Sequence, residues 1–158
     1  GFGYNKILVN DIDPKKHLET IFNIEWCEKE KIFKDADVIS LHVPLTSKTK
    51  NMIGIKELEM MKSDAILINT ARGGIINEDD LYRVMTKVHL SGSAIDVFEN
   101  EPYAGPLKNI DRCLLTSHMG SMSVDCRSRM EIEATEEVVR FKKKEVLKNL
   151  IPNYFYEI

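Results

Sequence analysis

The sequence has few cysteines and no long apolar run, and both shortages exclude whole classes of protein. Its three cysteines, Cys27, Cys113 and Cys126, are odd in number and have no C-x-x-C spacing, so neither a disulfide framework nor a zinc site is predicted. Apolar runs such as Ala65–Ile68 are far shorter than the roughly 20 residues that cross a bilayer. The first residues carry no signal-peptide pattern, and we expect a soluble, cytoplasmic protein with no membrane partner.

Charge of one sign is not in excess either. The chain has 22 Lys and Arg residues against 25 Asp and Glu residues, a formal net charge of −3, which argues against a nucleic-acid partner or an anionic membrane surface. With 158 residues, 43% of them hydrophobic, the chain is long enough to bury a core. Its composition excludes disorder and collagen-like repeats.

Short apolar runs alternate with helical stretches along the chain. The predicted strands are Lys6–Asp11, Ile24–Cys27, Val38–Val43, Ala65–Asn69, Ser93–Val97 and Cys113–Ser117. The predicted helices are Asp13–Phe22, Glu28–Ala36, Ile53–Met61, Asn77–Val88 with Asn77 as its cap, and Val124–Leu147. This order predicts a doubly wound α/β fold, with a parallel sheet covered on both faces and ligands bound beyond the carboxyl ends of the strands.

Residues able to bind an acid and move a proton follow three successive predicted strands. Arg72 lies in a strand-end turn with Gly73 and Gly74, where a bidentate cationic donor can bind a planar carboxylate. His118 follows the last strand, and the acidic segment Asp96–Pro102 follows the strand before it. A carboxylate of that segment can orient the histidine ring and favour its charged form. Each of these residues alone is more often structural, but together they predict an Arg, Glu and His site for a 2-oxo acid.

Two features at the start of the chain concern nucleotide binding. Gly1-Phe2-Gly3 begins like a dinucleotide fingerprint, but position 6 is lysine and a predicted strand follows at once, so we interpret this segment as a turn or linker. Asp11, at the end of the first predicted strand, can accept both hydroxyls of an adenosine ribose. Asp13 competes with this interpretation as a helix cap.

Four motifs follow one another along the chain. They are Ser40–Thr46 (SLHVPLT), Asn69–Gly74 (NTARGG), Asp96–Pro102 (DVFENEP) and His118–Ser121 (HMGS). Their order and spacing resemble the cofactor domain of D-isomer-specific 2-hydroxyacid dehydrogenases, over nearly the whole chain. The resemblance implies a Rossmann-like domain that binds NAD, within a homodimeric enzyme that transfers hydride reversibly between NAD(H) and a small 2-hydroxy or 2-oxo acid.

The resemblance also implies roles for the residues of these motifs. Arg72 is similar to the residue that binds the substrate carboxylate and carbonyl, and His118 to the general acid/base. Glu101 is similar to the acid that pairs with this histidine, with Glu99 as the alternative one step too early in the motif. These three residues, Arg72, Glu101 and His118, are the implied catalytic set.

The implied cofactor contacts extend over several strand ends. Asp11 resembles the ribose-binding acid, with Asp13 as the alternative because the spacing from Gly3 is about one residue longer than usual. Asp96 matches the residue that receives the nicotinamide carboxamide. The remaining implied cofactor contacts are His42, Val43, Pro44, Thr70, Ala71, Arg72, His118 and Gly120.

The sequence departs from the family pattern in three places. The first strand and the G-x-G-x-x-G loop, expected roughly 20 residues upstream of Gly3, are absent. The substrate domain is missing as well, and only residues 148–158 look like its return segment. Ser117 stands where the family usually has proline before the histidine. We therefore expect a truncated NAD-binding domain over residues 1–147, a return segment over residues 148–158, and a fragment that is inactive by itself.

Two other functions compete with this interpretation. One is a non-catalytic nucleotide-sensing or protein-binding module on the same fold, which has no need of the Arg, Glu and His set. The other is a formate dehydrogenase, disfavoured because those related enzymes pair the histidine with glutamine where Glu101 stands.

Overall fold

The computed structural model describes residues 6–150. The Gly1-Phe2-Gly3 segment and residues 151–158 of the tail lie outside the described residues, and so do the predictions made for them. The strands are β1 (Ile7–Val9), β2 (Ile24–Trp26), β3 (Val38–Leu41), β4 (Ile66–Asn69), β5 (Gly92–Ile95) and β6 (Cys113–Leu115). The helices are α1 (Leu18–Phe22), α2 (Lys29–Asp35), α3 (Ile55–Met60), α4 (Glu78–Thr86) and α5 (Val124–Lys143), with short 3-10 turns at Pro106–Asn109 and Met119–Ser121.

The strands form two parallel sheets within residues 6–150. Strands β1 and β2 pair with each other, and a second sheet has the order β3-β4-β5-β6. The predicted alternation of parallel strands and helices is confirmed. Strands β1 and β3 are edge strands of different sheets, so each leaves one backbone edge without a strand partner among the described residues.

The core lies on one face of the four-stranded sheet. In β3 the side chain of Ile39 is 3% exposed, whereas that of its neighbour Val38 is 50% exposed, because successive side chains of a strand point to opposite faces. Ile66 of β4 and Leu114 of β6 are also exposed. The predicted parallel sheet of a doubly wound α/β fold is confirmed. Within the described residues the second face of the four-stranded sheet stays exposed, and α5 contributes no buried residue.

Two helices differ from the sequence prediction by four or five residues at one end. Helix α1 begins at Leu18 rather than Asp13, because the preceding residues form a turn in which the Asp11 carboxylate accepts the Asp13 N–H. Helix α5 ends at Lys143, where Lys144 adopts a left-handed conformation with φ 59° and closes the last turn.

The start of helix α4 agrees with the sequence prediction. The Asn77 side chain accepts the Asp80 N–H at 3.0 Å, and three acidic residues occupy the first turn. No helix within the described part of the chain is both long and apolar enough to span a membrane.

Candidate active site

A cleft of about 310 Å³ opens beyond the carboxyl ends of β3 to β6. Parallel strands place their carboxyl ends along one edge of the sheet, so loops that are distant in sequence meet there. Leu45 and Phe98 supply part of its apolar wall. Its ionisable lining residues are Lys50, Arg72, Glu99, Glu101 and His118.

Arg72 enters the cleft from the turn that follows β4. Its side chain is exposed, and its Nη1 donates to the Ala71 carbonyl at 2.6 Å. No carboxylate within residues 6–150 lies at ion-pair distance from the guanidinium. A bidentate cationic donor without an acidic partner, in a cleft, is able to bind the carboxylate of a small acid.

Gly73 holds this turn against the loop after β5. A Cβ atom at this position would lie 2.0 Å from both the carbonyl carbon and the oxygen of Phe98, closer than real Cβ contacts allow. Only glycine permits the two backbones to approach in this way. The sequence shows a glycine here, but the reason for it lies in the tertiary contact.

The structure brings Glu101 to His118. Its Oε2 lies 3.0 Å from Nδ1 of the ring, and its Oε1 accepts the Phe98 N–H at 3.0 Å. Together these two hydrogen bonds lower the pKa of Glu101, so the carboxylate is ionised at neutral pH and available to orient the imidazole. The other ring nitrogen, Nε2, has no hydrogen-bond partner among the described residues.

His118 sits in a left-handed turn with φ 53°, and Asp96 holds that turn on both sides. The Asp96 carbonyl accepts the His118 N–H at 2.8 Å, and its carboxylate accepts the Met119 N–H at 2.9 Å and the Thr116 hydroxyl at 2.5 Å. Burial alone would raise the pKa of Asp96, but the hydrogen bonds from Thr116 and Met119 outweigh it and the pKa is lowered. Asp96 is 8% exposed. The hydrogen bonds of its carboxylate go to Thr116 and Met119, on either side of His118.

Glu99 points to a different partner. Its Oε1 lies 3.4 Å from Nζ of Lys50, and its N–H donates to Glu78 at 2.7 Å. Burial raises the pKa of Glu78. The alternative pairing of Glu99 with His118 is therefore not the one that the structure contains. Sequence reasoning missed Lys50, because it follows β3 by nine residues and carries no strand-end signal.

The remaining predicted cofactor residues follow strands of both sheets. Asp11 is exposed, and its Oδ1 accepts the Asp13 N–H at 2.9 Å. Asp13 instead pairs with Lys15. The exposed His42 ring contacts the Ser40 hydroxyl at 2.8 Å.

Four further residues predicted to contact the cofactor lie at strand ends, and they are not among the residues that line the cleft. Val43 and Ala71 pack against the core, and the Pro44 carbonyl accepts the Thr49 hydroxyl at 2.6 Å. Thr70 is exposed in the turn before Arg72.

These features define a parallel α/β domain with an Arg and Glu–His site at the strand ends. Residues 1–120 match the family described as D-isomer specific 2-hydroxyacid dehydrogenase, NAD binding domain. The chain therefore belongs to this family, and its cofactor is NAD.

Known relatives agree with this assignment. The chain is 38% identical over 155 residues to a glyoxylate reductase of Thermococcus litoralis, covering 96% of the chain and 46% of the relative. It is 37% identical over 153 residues to a glyoxylate reductase of Korarchaeum cryptofilum, with the same two coverages. The chain thus spans about half the length of these relatives.

Solved structures show the same fold. The TT0316 protein from Thermus thermophilus superposes with a TM-score of 0.84 at 30% identity, covering 93% of this chain and 46% of that one. D-Lactate dehydrogenase from Aquifex aeolicus, solved with NAD and lactic acid, superposes with a TM-score of 0.81 at 29% identity. That match covers 89% of this chain and 47% of the other.

Residues predicted to contact the two ends of NAD are accessible in the structure. At one end, Asp11 is an exposed acid whose second oxygen is not used by another described residue, which suits ribose hydroxyls. At the other end, Gly120 borders open space, since a Cβ there would meet no heavy atom within 4 Å. Flat, polar groups such as a nicotinamide amide can approach such a turn.

Proposed function

We propose that the chain is the cofactor-binding portion of an NAD-dependent D-2-hydroxyacid dehydrogenase, which transfers hydride reversibly between NAD(H) and a small 2-hydroxy or 2-oxo acid. The observation that carries this proposal is the cleft in which Arg72, without an acidic partner among the described residues, faces the same space as the Glu101–His118 pair. When a cofactor delivers the hydride, reduction of a 2-oxo acid also needs a group that binds the carboxylate and a group that protonates the carbonyl oxygen, and this cleft holds both types of side chain. The longer dehydrogenase of which this chain is the proposed part is called the whole protein.

In this proposal each side chain has one task. Arg72 binds the substrate carboxylate and polarises the neighbouring carbonyl. His118 donates a proton to the carbonyl oxygen during reduction and accepts it back during oxidation. Glu101 keeps the ring oriented through the contact between its Oε2 and Nδ1. The bound cofactor supplies or accepts the hydride at the substrate carbon.

The implied cofactor contacts are part of the proposal. Asp11 would receive the adenosine ribose, for which its exposed carboxylate is suited. Residues 42–44, 70–72 and 118–120 would line the nicotinamide half, together with Asp96. Asp96 would act there while its carboxylate also holds the histidine turn.

The test compares two variants of the whole protein. Arg72→Ala should lower kcat/KM for a small 2-oxo acid such as glyoxylate with NADH, because loss of a charged bidentate contact made in the transition state costs on the order of 3–5 kcal/mol. Lys87→Ala is the matched control, since Lys87 is an exposed cation at the end of α4 and is absent from the cleft lining. Equal activity of the two variants would contradict the role of Arg72.

The non-catalytic alternative predicts a different result. A nucleotide-sensing or protein-binding module would show no NADH-dependent reduction of any 2-oxo acid, and substitution of Glu101 or His118 would leave its binding unchanged. A cytoplasmic location and a homodimeric whole protein remain predictions from the sequence and its resemblance.

A further inference from the structure

We propose that Asn69 is a positioning residue that places Arg72 in the cleft, an inference that rests on the proposed function of Arg72. Asn69 is the last residue of β4 and is 1% exposed. Asn69 is not among the residues that line the cleft, so its side chain does not contact a substrate bound there. Its effect would reach the substrate through Arg72.

The main chain of Asn69 is fixed by the sheet. Asn69 is in register with Leu41 of β3 and Ile95 of β5, and its carbonyl accepts the Asp96 N–H at 3.0 Å. The residue is therefore anchored on both sides by neighbouring strands. Its side chain extends from this rigid position into the turn that follows β4.

Both ends of the Asn69 amide are used by the backbone of that turn. Its Oδ1 accepts the Ala71 N–H at 3.1 Å, and its Nδ2 donates to the Arg72 carbonyl at 3.0 Å. The donor and the acceptor of one planar group thus hold residues two and three positions further along the chain. The local geometry is that of an Asx turn, extended by a second hydrogen bond.

The guanidinium depends on the same turn. Nη1 of Arg72 donates to the Ala71 carbonyl. The peptide on which the Arg72 side chain rests therefore lies between the two peptides that the Asn69 amide holds. The described residues offer the guanidinium no acidic partner that could fix it otherwise. When the turn relaxes, the cation moves with it, and a displacement of about 1 Å can lower a reaction rate by about 100-fold.

Asparagine is the side chain that meets these demands. Aspartate of the same shape keeps the acceptor for the Ala71 N–H but has no donor for the Arg72 carbonyl. Alanine removes both hydrogen bonds. A purely structural buried polar residue is available for comparison, because Ser93 of β5 is 4% exposed and its hydroxyl contacts Cys113 away from the cleft.

A double-mutant cycle in the whole protein tests the proposal. Asn69→Ala and Asn69→Asp are each made with Arg72 present and with Arg72→Ala, and kcat/KM for glyoxylate with NADH is measured for every variant. We expect Asn69→Ala to lower kcat/KM by about 10- to 100-fold when Arg72 is present and by less than about twofold in the Arg72→Ala background. Asn69→Asp should show the same pattern, with a smaller loss of kcat/KM when Arg72 is present.

A structural role would give a different pattern. An equal loss with and without Arg72 would overturn the inference, and so would full activity of both Asn69 variants. Ser93→Ala serves as the control, because its effect, whatever its size, should be the same in both backgrounds. If Asn69→Ala does not fold, the isosteric Asn69→Asp carries the same comparison. Full activity of Arg72→Ala alone would instead refute the proposed function, and the Asn69 proposal would fail with it.

Discussion

Replacement of Gly73 by alanine should separate two loops that the site needs in contact. The added Cβ would lie 2.0 Å from the carbonyl carbon and oxygen of Phe98 and 2.6 Å from the amide nitrogen of Glu99. All three atoms belong to the backbone, so a change of side-chain rotamer cannot relieve the clash. The loop after β5 is also tied down, because Phe98 N–H donates to Glu101.

The size of the effect can be worked out from this geometry. Restoring even a 3.0 Å contact requires a shift of about 1 Å between two hydrogen-bonded backbone segments, and overpacking of this kind costs about 1–3 kcal/mol. We expect Gly73→Ala to fall in the upper part of that range. The same shift moves Arg72 away from Glu101 and His118, so kcat/KM should fall by about 100-fold as well.

The assay is urea unfolding of the whole protein, followed by circular dichroism, with kcat/KM measured on the same samples. Gly120→Ala is the control for stability alone, because a Cβ at Gly120 meets no heavy atom within 4 Å and an unstrained Gly→Ala change alters the free energy of unfolding by less than about 1 kcal/mol. If Gly73→Ala and Gly120→Ala unfold at the same urea concentration, the close approach of Gly73 to Phe98 is not present in solution.

Three further predictions concern the site and the cofactor. Hydrogen bonds from the Phe98 N–H and then from His118 lower the pKa of Glu101 in the folded protein, so its contribution to stability is present above the ordinary glutamate pKa and is lost as the pH falls through the lowered value. Glu101→Gln should remove that contribution to the acid-side fall of the urea midpoint, and an unchanged profile would contradict these two hydrogen bonds. The whole protein should prefer NADH over NADPH in kcat/KM, because an acid at Asp11 accepts ribose hydroxyls and repels a 2′-phosphate, whereas a preference for NADPH would exclude Asp11 and Asp13 from the ribose site. The 158-residue chain by itself should be inactive and bind NAD weakly in calorimetry, since residues 6–150 contain no G-x-G-x-x-G loop to hold the pyrophosphate. Micromolar affinity equal to that of the whole protein would show that a pyrophosphate site exists elsewhere in the chain.

Local structure can be predicted well where the signal is itself local. Helix α4 begins after Asn77 as expected, because an asparagine cap followed by acidic residues acts through neighbouring backbone groups. The strands lie where the apolar runs are, and their parallel pairing follows from the helices between them. Helical periodicity places the start of α1 too early, because it does not reveal that the side chains around Asp11 and Asp13 favour a turn.

The sequence also places Arg72, Glu101 and His118 at strand ends, and parallel pairing is enough to bring such residues to one edge. It leaves the choice between Glu99 and Glu101 open, since both follow β5 within a few residues. The structure separates them, because Glu99 faces Lys50 and Glu101 faces His118. Such a choice depends on the path of a loop in space, which residue spacing alone does not define.

What the sequence determined by itself is the fold class, the family and the residue types of the site, because periodicity, turn chemistry and motif order are properties of the chain. Only the tertiary structure decided how those residues are held. Three features depend on distances between atoms that only the folded chain defines: the hydrogen bonds from Asn69 to the Arg72 turn, the contact of Gly73 with Phe98, and the exposed second face of the sheet. Those distances are set by strand register and packing, which join parts of the chain that carry no mark of each other in the sequence.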